Sequence, residues 1–570
     1  MNDWRHRIRD FGAAESSLYV AVAVVVATLC VWPATRLVLE GIAPGGEPGL
    51  EVLRKVLGDR STWIALGRSL YTATIGTSVA LLIGAPLAVL VALTDVRAKA
   101  ALVFCFMIPL MIPPQITALS WIQLFGPSSA LLEALGVAPP LGTPHPLYSP
   151  SGIALLLGVQ HAPLVFLALR AGLRTLPREL IEAARASGAS HGRVVFDIAL
   201  PLMTPPLVAG AALAFVSALG NFGIPSMLGI PIGYATMPVL IYQKLSGFGP
   251  LVISEVAVLS IAIGTVAFAG VLLQNWMLRR RDYRTIGAGA APLRLELGRQ
   301  RVLVEAVCWL GIAFVLVVPL IALAATSLVS EYGVPLNWQS ATIEAYREIV
   351  WRQNVTARAF GNSLLLASSA ALLLALIAVP FAYLLQRRRS VLLQGLNLFA
   401  ELPYSLPGVV LAIACILIFL EPLPMVGVSL YGTLWIIFAA YLARFLTLSL
   451  RPVVGGFAQL DPNLEEAAQI CGAGLFYRLR TIIAPIIAPA AAAGAILVFM
   501  TAFNELTVSA LLWSSGSETL GVMVYNLDDG GYTVLASALA VLIVVAILGL
   551  MAGAQLLAPR LAKGTLPWQG

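Results

Sequence analysis

Residues 182–201 read EAARASGASHGRVVFDIALP, and residues 466–485 read EAAQICGAGLFYRLRTIIAP. In both, Glu-Ala-Ala is followed after three residues by Gly and after nine more by Ile, with two residues between that Ile and a Pro. Glu182, Ala183, Ala184, Gly188, Ile198 and Pro201 thus have counterparts in Glu466, Ala467, Ala468, Gly472, Ile482 and Pro485, at a constant offset of 284. Glu and Ala favour helix, and Leu176, Leu180 and Ala184 fall four apart, as do Leu460, Leu464 and Ala468, so each trio shares one helix face. Gly188 and Gly472 then let the backbone turn. A second short helix is expected to run to Pro201 or Pro485, close to the next apolar run. Each copy reads as a helix–turn–helix hook too polar to cross a bilayer. A single copy is equally well read as an amphipathic connector on the membrane surface. Two copies, at matched places in two halves, argue for a shared task.

The surroundings are a membrane protein. Of 570 residues, 59% are hydrophobic and 11% charged, and the mean hydropathy is +0.90. Apolar segments near the ~20 residues needed to span a bilayer recur from end to end. They fall near 17–37, 63–93, 100–124, 152–172, 205–229 and 251–276, then near 302–326, 363–386, 391–420, 431–450, 487–513 and 534–557. The expected fold is all-α and polytopic, with about twelve transmembrane helices in two tandem sets of six. A β-barrel would alternate in short segments. The first span is long and no small-residue cleavage site follows it, so it reads as an anchor.

Charge gives the orientation. With the N-terminus inside, 26 of the 35 Lys and Arg fall on the cytoplasmic side, and inversion would leave nine there. Both termini and both hooks are then expected in the cytoplasm. The net charge of +7 follows from this topology, and no dense basic tract with interleaved aromatics points to nucleic acid.

The halves divide at 277–301, where an Arg run and GAGAAP interrupt the apolar pattern. The first half is 1–276, with its hook in 173–204, and the second is 302–570, with its hook in 452–488. Other stretches repeat. Gly67-Arg68-Ser69-Leu70 matches Gly361-Asn362-Ser363-Leu364, and Ile108-Pro109 with Pro113 matches Leu402-Pro403 with Pro407, both at offset 294. FVSALGNFGIPSMLG at 215–229 faces FMTAFNELTVSALLW at 499–513 at offset 284. Parallel repeats of this kind place a pathway between the halves.

The chain carries no chemistry of its own. None of its four lysines sits in a phosphate-binding P-loop, so any ATPase is a separate polypeptide. The four histidines have no metal-ligand spacing, no nucleophile–base pair can be argued, and no catalytic, metal-binding or cofactor-binding residue is expected. Cys30, Cys105, Cys308 and Cys415 lie in apolar runs as packing residues, whereas Cys471, in the second hook, is reachable from water. Ionisable residues within spans are costly and become pathway candidates. Glu505 leads, beside Asn504 and matched by Asn221 in the other half. Glu401 follows, with a structural role favoured. Glu255 and Arg68 are expected near the outer interface and His161 as a packing residue.

The hook spacing resembles the EAA loop of the membrane subunits of binding-protein-dependent ABC importers. The first copy fits it fully, and the second departs once, with Ala484 in place of Leu200. The resemblance implies that Glu182, Ala183, Ala184, Gly188 and Glu466, Ala467, Ala468, Gly472 couple the chain to two copies of an ABC ATPase subunit, which would bind ATP and Mg. It also implies an extracytoplasmic solute-binding protein as partner. The fused two-half form, with NELTVSALLWSSGSETLGVMVYNL at 504–527, looks most like ferric-iron permeases, with thiamine and aminoethylphosphonate permeases as alternatives. An ion-coupled secondary transporter would need no paired hooks.

Overall fold

The computed structural model describes residues 13–44, 50–140, 142–174, 176, 178–247, 249, 251–279, 295–388, 390–422, 427–458 and 460–557. The basic N-terminus, residues 280–294 of the linker, and Arg560 with Lys563 lie outside them. Among the described residues the chain is helical, with two isolated β-bridges and no strand.

Among the described residues nine helices are long and apolar enough to cross a bilayer, and three of four bent helix pairs complete two sets of six, the fourth being the short pair Gly223–Ile232 with Met237–Leu245, bent by 77°. In the first half these are α1 (Glu15–Ile42), α2 (Arg60–Leu93), α3 (Lys99–Met111 with Pro114–Ala134), α4 (Pro150–Leu173), α5 (Val194–Leu202 with Thr204–Leu219) and α6 (Val252–Gln274). In the second they are α7 (Gly298–Ser327), α8 (Asn354–Arg387), α9 (Val391–Tyr404 with Gly408–Phe419), α10 (Leu434–Ala458), α11 (Leu475–Phe503) and α12 (Thr533–Leu556). The expectation of two six-helix halves holds.

Proline shapes both halves alike. α3 bends by 100° and α9 by 108°, at Pro113 and Pro407, which take nearly identical extended ψ angles of 137° and 136°. The ring removes a donor and drives the residue before it out of the α region. At the α3 bend Gln160 Nε2 donates to the carbonyls of Pro109 (2.7 Å) and Ile112 (3.0 Å), capping groups the bend frees. Elsewhere a π turn precedes the proline: Ala27–Val31 before Pro33, Ala313–Val317 before Pro319, Val194–Ala199 before Pro201, and Leu479–Ile483 before Pro485. The wider turn accommodates the ring and its missing N–H.

Those π turns alter two expectations. The second hook's outer helix does not stop at Pro485 but continues as α11 to Phe503. The first hook's helix also passes Pro201, then α5 bends by 67° before Thr204, where two prolines follow in sequence. The unbroken spans expected over 205–229 and 487–513 are both interrupted, at 220–222 and 504–508. Beyond each break lie two short helices: Gly223–Gly229 and Met237–Leu245 in one half, Ser509–Leu512 and Leu520–Asp529 in the other.

The repeated Gly-x-Ser-Leu stretches anchor these short helices. Ser69 Oγ accepts from the Met237 N–H (2.7 Å), and Ser363 Oγ accepts from the Leu520 N–H (3.0 Å). Arg68 donates to the Gly233 carbonyl, while Asn362, its counterpart, donates to the carbonyls of Gly516 and Glu518. Each pair satisfies a helix start or loop carbonyl that would otherwise be orphaned. Glu255 pairs with Lys55 and Lys244.

The first span of each half crosses to the other half. The α1 segment packs on α6 of its own half and also on α8, α9 and the second hook, and α7 packs on α12 of its own half and on α3 of the other. Ion pairs clip both crossings. Glu15 of α1 bridges Arg388 and Arg478, and Arg301 of α7 pairs with Asp95 at 3.2 Å while Glu305 accepts from the Arg97 N–H. The linker's end joins this clip, since the Leu297 N–H donates to Asp95 and holds that carboxyl below its usual range.

Candidate functional site

The hooks are the first candidate. Arg178–Ala186 and Pro462–Ile470 form their first helices, and both end on a glycine with positive φ, +82° at Gly188 and +81° at Gly472. Three backbone bonds close each turn at matching positions. Ser187, Gly188 and Ala189 donate to Ala183, Arg185 and Ala184, and Cys471, Gly472 and Ala473 donate to Ala467, Gln469 and Ala468. This is a Schellman-type closure, which needs a residue able to take the left-handed region. Glu182, Glu466 and Ala467 are exposed and Ala184 and Ala468 half-buried, so each hook offers a carboxylate beside small side chains.

The two hooks are rooted differently. In the first, Ile181 and Val194 are fully buried. Their counterparts at offset 284 are Glu465 and Arg478, also buried, and they carry an ionic network. Glu465 meets Arg387 at 2.8 Å and Arg478 at 3.3 Å and accepts from the Tyr383 hydroxyl at 2.7 Å. Arg478 also reaches Glu15 at 3.3 Å. The sequence reading missed this network because its members are spread over all three spans and the hook.

The central breaks are the second candidate. Asn221 Oδ1 accepts from the Ile224 N–H at 3.1 Å, and Glu505 Oε1 accepts from the Val508 N–H at 2.8 Å, again at offset 284. Glu505 Oε2 takes two more, from Ser509 N–H and Oγ. Its partners are therefore the N–H groups freed at a helix start, where a carboxylate is stabilised by the helix dipole. Each break lies against the other half's proline bend. Asn504 Nδ2 donates to the Met111 carbonyl at 2.6 Å, and a Cβ at Gly220 would stand 2.9 Å from Pro407 Cα.

This centre leaves polar atoms unserved. Gln115, fully buried, has neither amide atom paired, and Asn504 Oδ1 and Gln123 Nε2 lack partners as well. Such orphans are uncommon and call for a functional explanation. Above them Phe222, Tyr242 and Tyr525 close the gap between halves, with ring centroids 4.9, 5.6 and 6.0 Å apart. Glu401 lies away from this cluster, pairing with Arg451 at 2.8 Å. His161 is buried and bonds the Leu157 carbonyl.

Glu505→Gln keeps one acceptor but turns an NH₂ toward the Ser509 N–H. We expect a cost of about 1–3 kcal/mol, seen as a lower unfolding temperature in detergent, with insertion intact and transport reduced at least tenfold. Unchanged melting together with normal transport would remove Glu505 from any role at the break.

Comparison with known proteins agrees with this architecture. The family described as "Binding-protein-dependent transport system inner membrane component" matches twice, over residues 80–283 and 371–563. The probable ABC transporter permease protein y4fN of Sinorhizobium fredii is 28% identical over 83% of this chain and 83% of its own. The Fe(3+)-transport system permease protein FbpB 2 of Haemophilus influenzae is 23% identical, covering 74% of this chain and 75% of its own. PhnU of Salmonella paratyphi A, named for 2-aminoethylphosphonate transport, is 28% identical over 39% of this chain and 77% of its own. With the family matched once in each half, on a helical membrane scaffold, this chain belongs to the inner membrane components of binding-protein-dependent ABC transport systems, in the fused two-half form.

Proposed function

We propose that the chain is the complete translocation unit of an importer for ferric iron, worked by two copies of an ABC ATPase at its hooks and fed by an external solute-binding protein. The observation that carries it is the pair of hooks, alike in turn geometry to the individual hydrogen bond. One polypeptide thereby supplies both docking elements, and ATP-driven approach of two ATPase subunits would draw the halves together on the inside and open them outside. Switching such an equilibrium cleanly takes several kcal/mol of differential binding. Ferric iron is favoured because the relatives named for it align across about three-quarters of the chain, whereas the alignment with PhnU covers 39%. Thiamine or another small solute would use the same machinery.

The test is reconstitution with the cognate ATPase and binding protein in liposomes. ATP-dependent accumulation of labelled ferric ion supports the reading, and ATP-dependent uptake of 2-aminoethylphosphonate but not iron would overturn the solute. Native mass spectrometry should find one permease chain with two ATPase subunits. Two permease chains per complex would contradict the stoichiometry.

Orientation is open to a simple experiment. Cys471 is exposed in the second hook, and Cys30 and Cys415 are buried. With the hooks cytoplasmic, a membrane-impermeant maleimide should label Cys471 in inside-out vesicles and spare it in right-side-out ones. The opposite pattern would invert the topology.

A further inference from the structure

A cavity of about 270 Å³ opens between the halves above the Phe222–Tyr242–Tyr525 closure. Its polar wall comes from both halves: Gln123 and Tyr148 from the first, Tyr332, Tyr525, Asp528 and Asp529 from the second. Two carboxylates and three phenols face it, and no Lys, Arg or His does. Tyr148, Tyr332, Tyr525 and Asp528 thus share one cavity wall. By the expected orientation this is the outer side, level with the start of α4 and of α12.

Gln123 supplies an independent sign of a missing ligand. It is 1% exposed, lines the cavity, and its Nε2 has no partner. The Thr326 hydroxyl lies 3.2 Å from Gln123 Oε1 and 3.1 Å from the Ala322 carbonyl, yet it has one proton to give. Turning the amide end for end lets its NH₂ donate to Thr326 while Thr326 serves Ala322. The amide atom that faces the cavity, beside the Tyr332 phenol, is then an oxygen.

We propose that this cavity is the outer binding site for a hard, multivalent metal cation entering the route, held by Asp528 and Asp529 with oxygen atoms of Tyr148, Tyr332 and Gln123. The proposal rests on the reading of the solute as ferric iron and names where that solute is first received. Hard cations take carboxylate, phenol and amide oxygens. Neither His nor Cys is among the described residues that line the cavity, so its donors are oxygens. An anionic solute such as a phosphonate would meet two carboxylates and no counter-charge. Burial lifts the Asp528 carboxyl to about 6 and the Tyr148 phenol to about 12, so both groups hold their protons more tightly than in water. A cation reverses that balance.

The test uses the full chain in neutral-lipid nanodiscs with terbium(III) alone as a hard trivalent probe, its emission sensitised by excitation of nearby tyrosine. We expect one saturable component, weakened at least tenfold by Asp528→Asn and lost in Asp528→Asn/Asp529→Asn. Asparagine keeps an acceptor for the Thr533 hydroxyl, which now bonds Asp528. Tyr148→Phe, which leaves both carboxylates in place, should weaken the component three- to tenfold and carries the decision if the asparagine variants do not fold. No saturable emission, or variants titrating within twofold of the unsubstituted chain, would overturn the site. Iron uptake is read separately in liposomes. Uptake without terbium binding sinks the site and leaves the solute reading standing, and binding without iron uptake does the reverse.

Discussion

Gly472→Val is expected to abolish transport while the protein still inserts and basal ATP hydrolysis by the bound subunits continues. Gly188→Val should do the same. A Cβ at either position meets nothing within 4 Å, so crowding is not the cause. The cost is conformational: an L-residue in the left-handed region pays about 1–2 kcal/mol, and a β-branched one is a genuine outlier there. The chain escapes by swinging the turn out of that region, which breaks the three closing bonds and misdirects the exposed carboxylate. Gly192 supplies the control, since it has equally empty surroundings but sits inside a helix. Gly192→Ala should leave coupling intact. Normal coupled transport in both valine variants would remove the hooks from the mechanism.

The second large effect is at Glu465. Glu465→Ala leaves Arg478, 5% exposed, with Glu15 as its one remaining acid and strips Arg387 of the acid it now pairs with. Breaking a buried ion pair by removing one partner costs about 3–5 kcal/mol. We expect a fall in unfolding temperature of several degrees, and transport lost along with the hook's anchorage. The first half suggests the remedy, because Ile181 and Val194 fill the matching places. Glu465→Ile/Arg478→Val should recover most of the stability, as apolar replacements of buried pairs often do. If the single variant melts with the unsubstituted chain, the network is ornamental. If the double variant is worse than the single, the hooks differ for a reason other than anchorage.

The duplication was readable because it is local. Each hook lies within twenty residues, and its glycine, alanines and glutamate announce a turn by composition alone. The repeated serines at 69 and 363 were visible as a pattern, though their work, capping helices about 160 residues away, was not. Glu505 shows a different limit. The sequence says a carboxylate inside an apolar stretch needs a partner, and a search among basic residues finds none on its span. The partner is backbone, available only because the helix stops at Phe503. That stop has no proline beside it to give it away. The acidic cavity was beyond reach for a third reason, since its wall is gathered from positions 122 to 533 and no segment of it looks unusual.

The crossing of α1 onto the far half has a consequence for how the protein is made. Glu15 pairs with Arg388 and Arg478, which are 373 and 463 residues downstream. When the first six spans have left the ribosome, the far end of their leading helix can pack on α6, where Ser254 Oγ donates to Glu40, but the Glu15 end has yet to meet either arginine. Folding of the first half therefore cannot finish on its own schedule. The Glu15 end of α1 finds its arginines only once the eighth span and the second hook emerge, and the interlock closes only as synthesis ends. A chain that stops short of the second hook leaves Glu15 without Arg478.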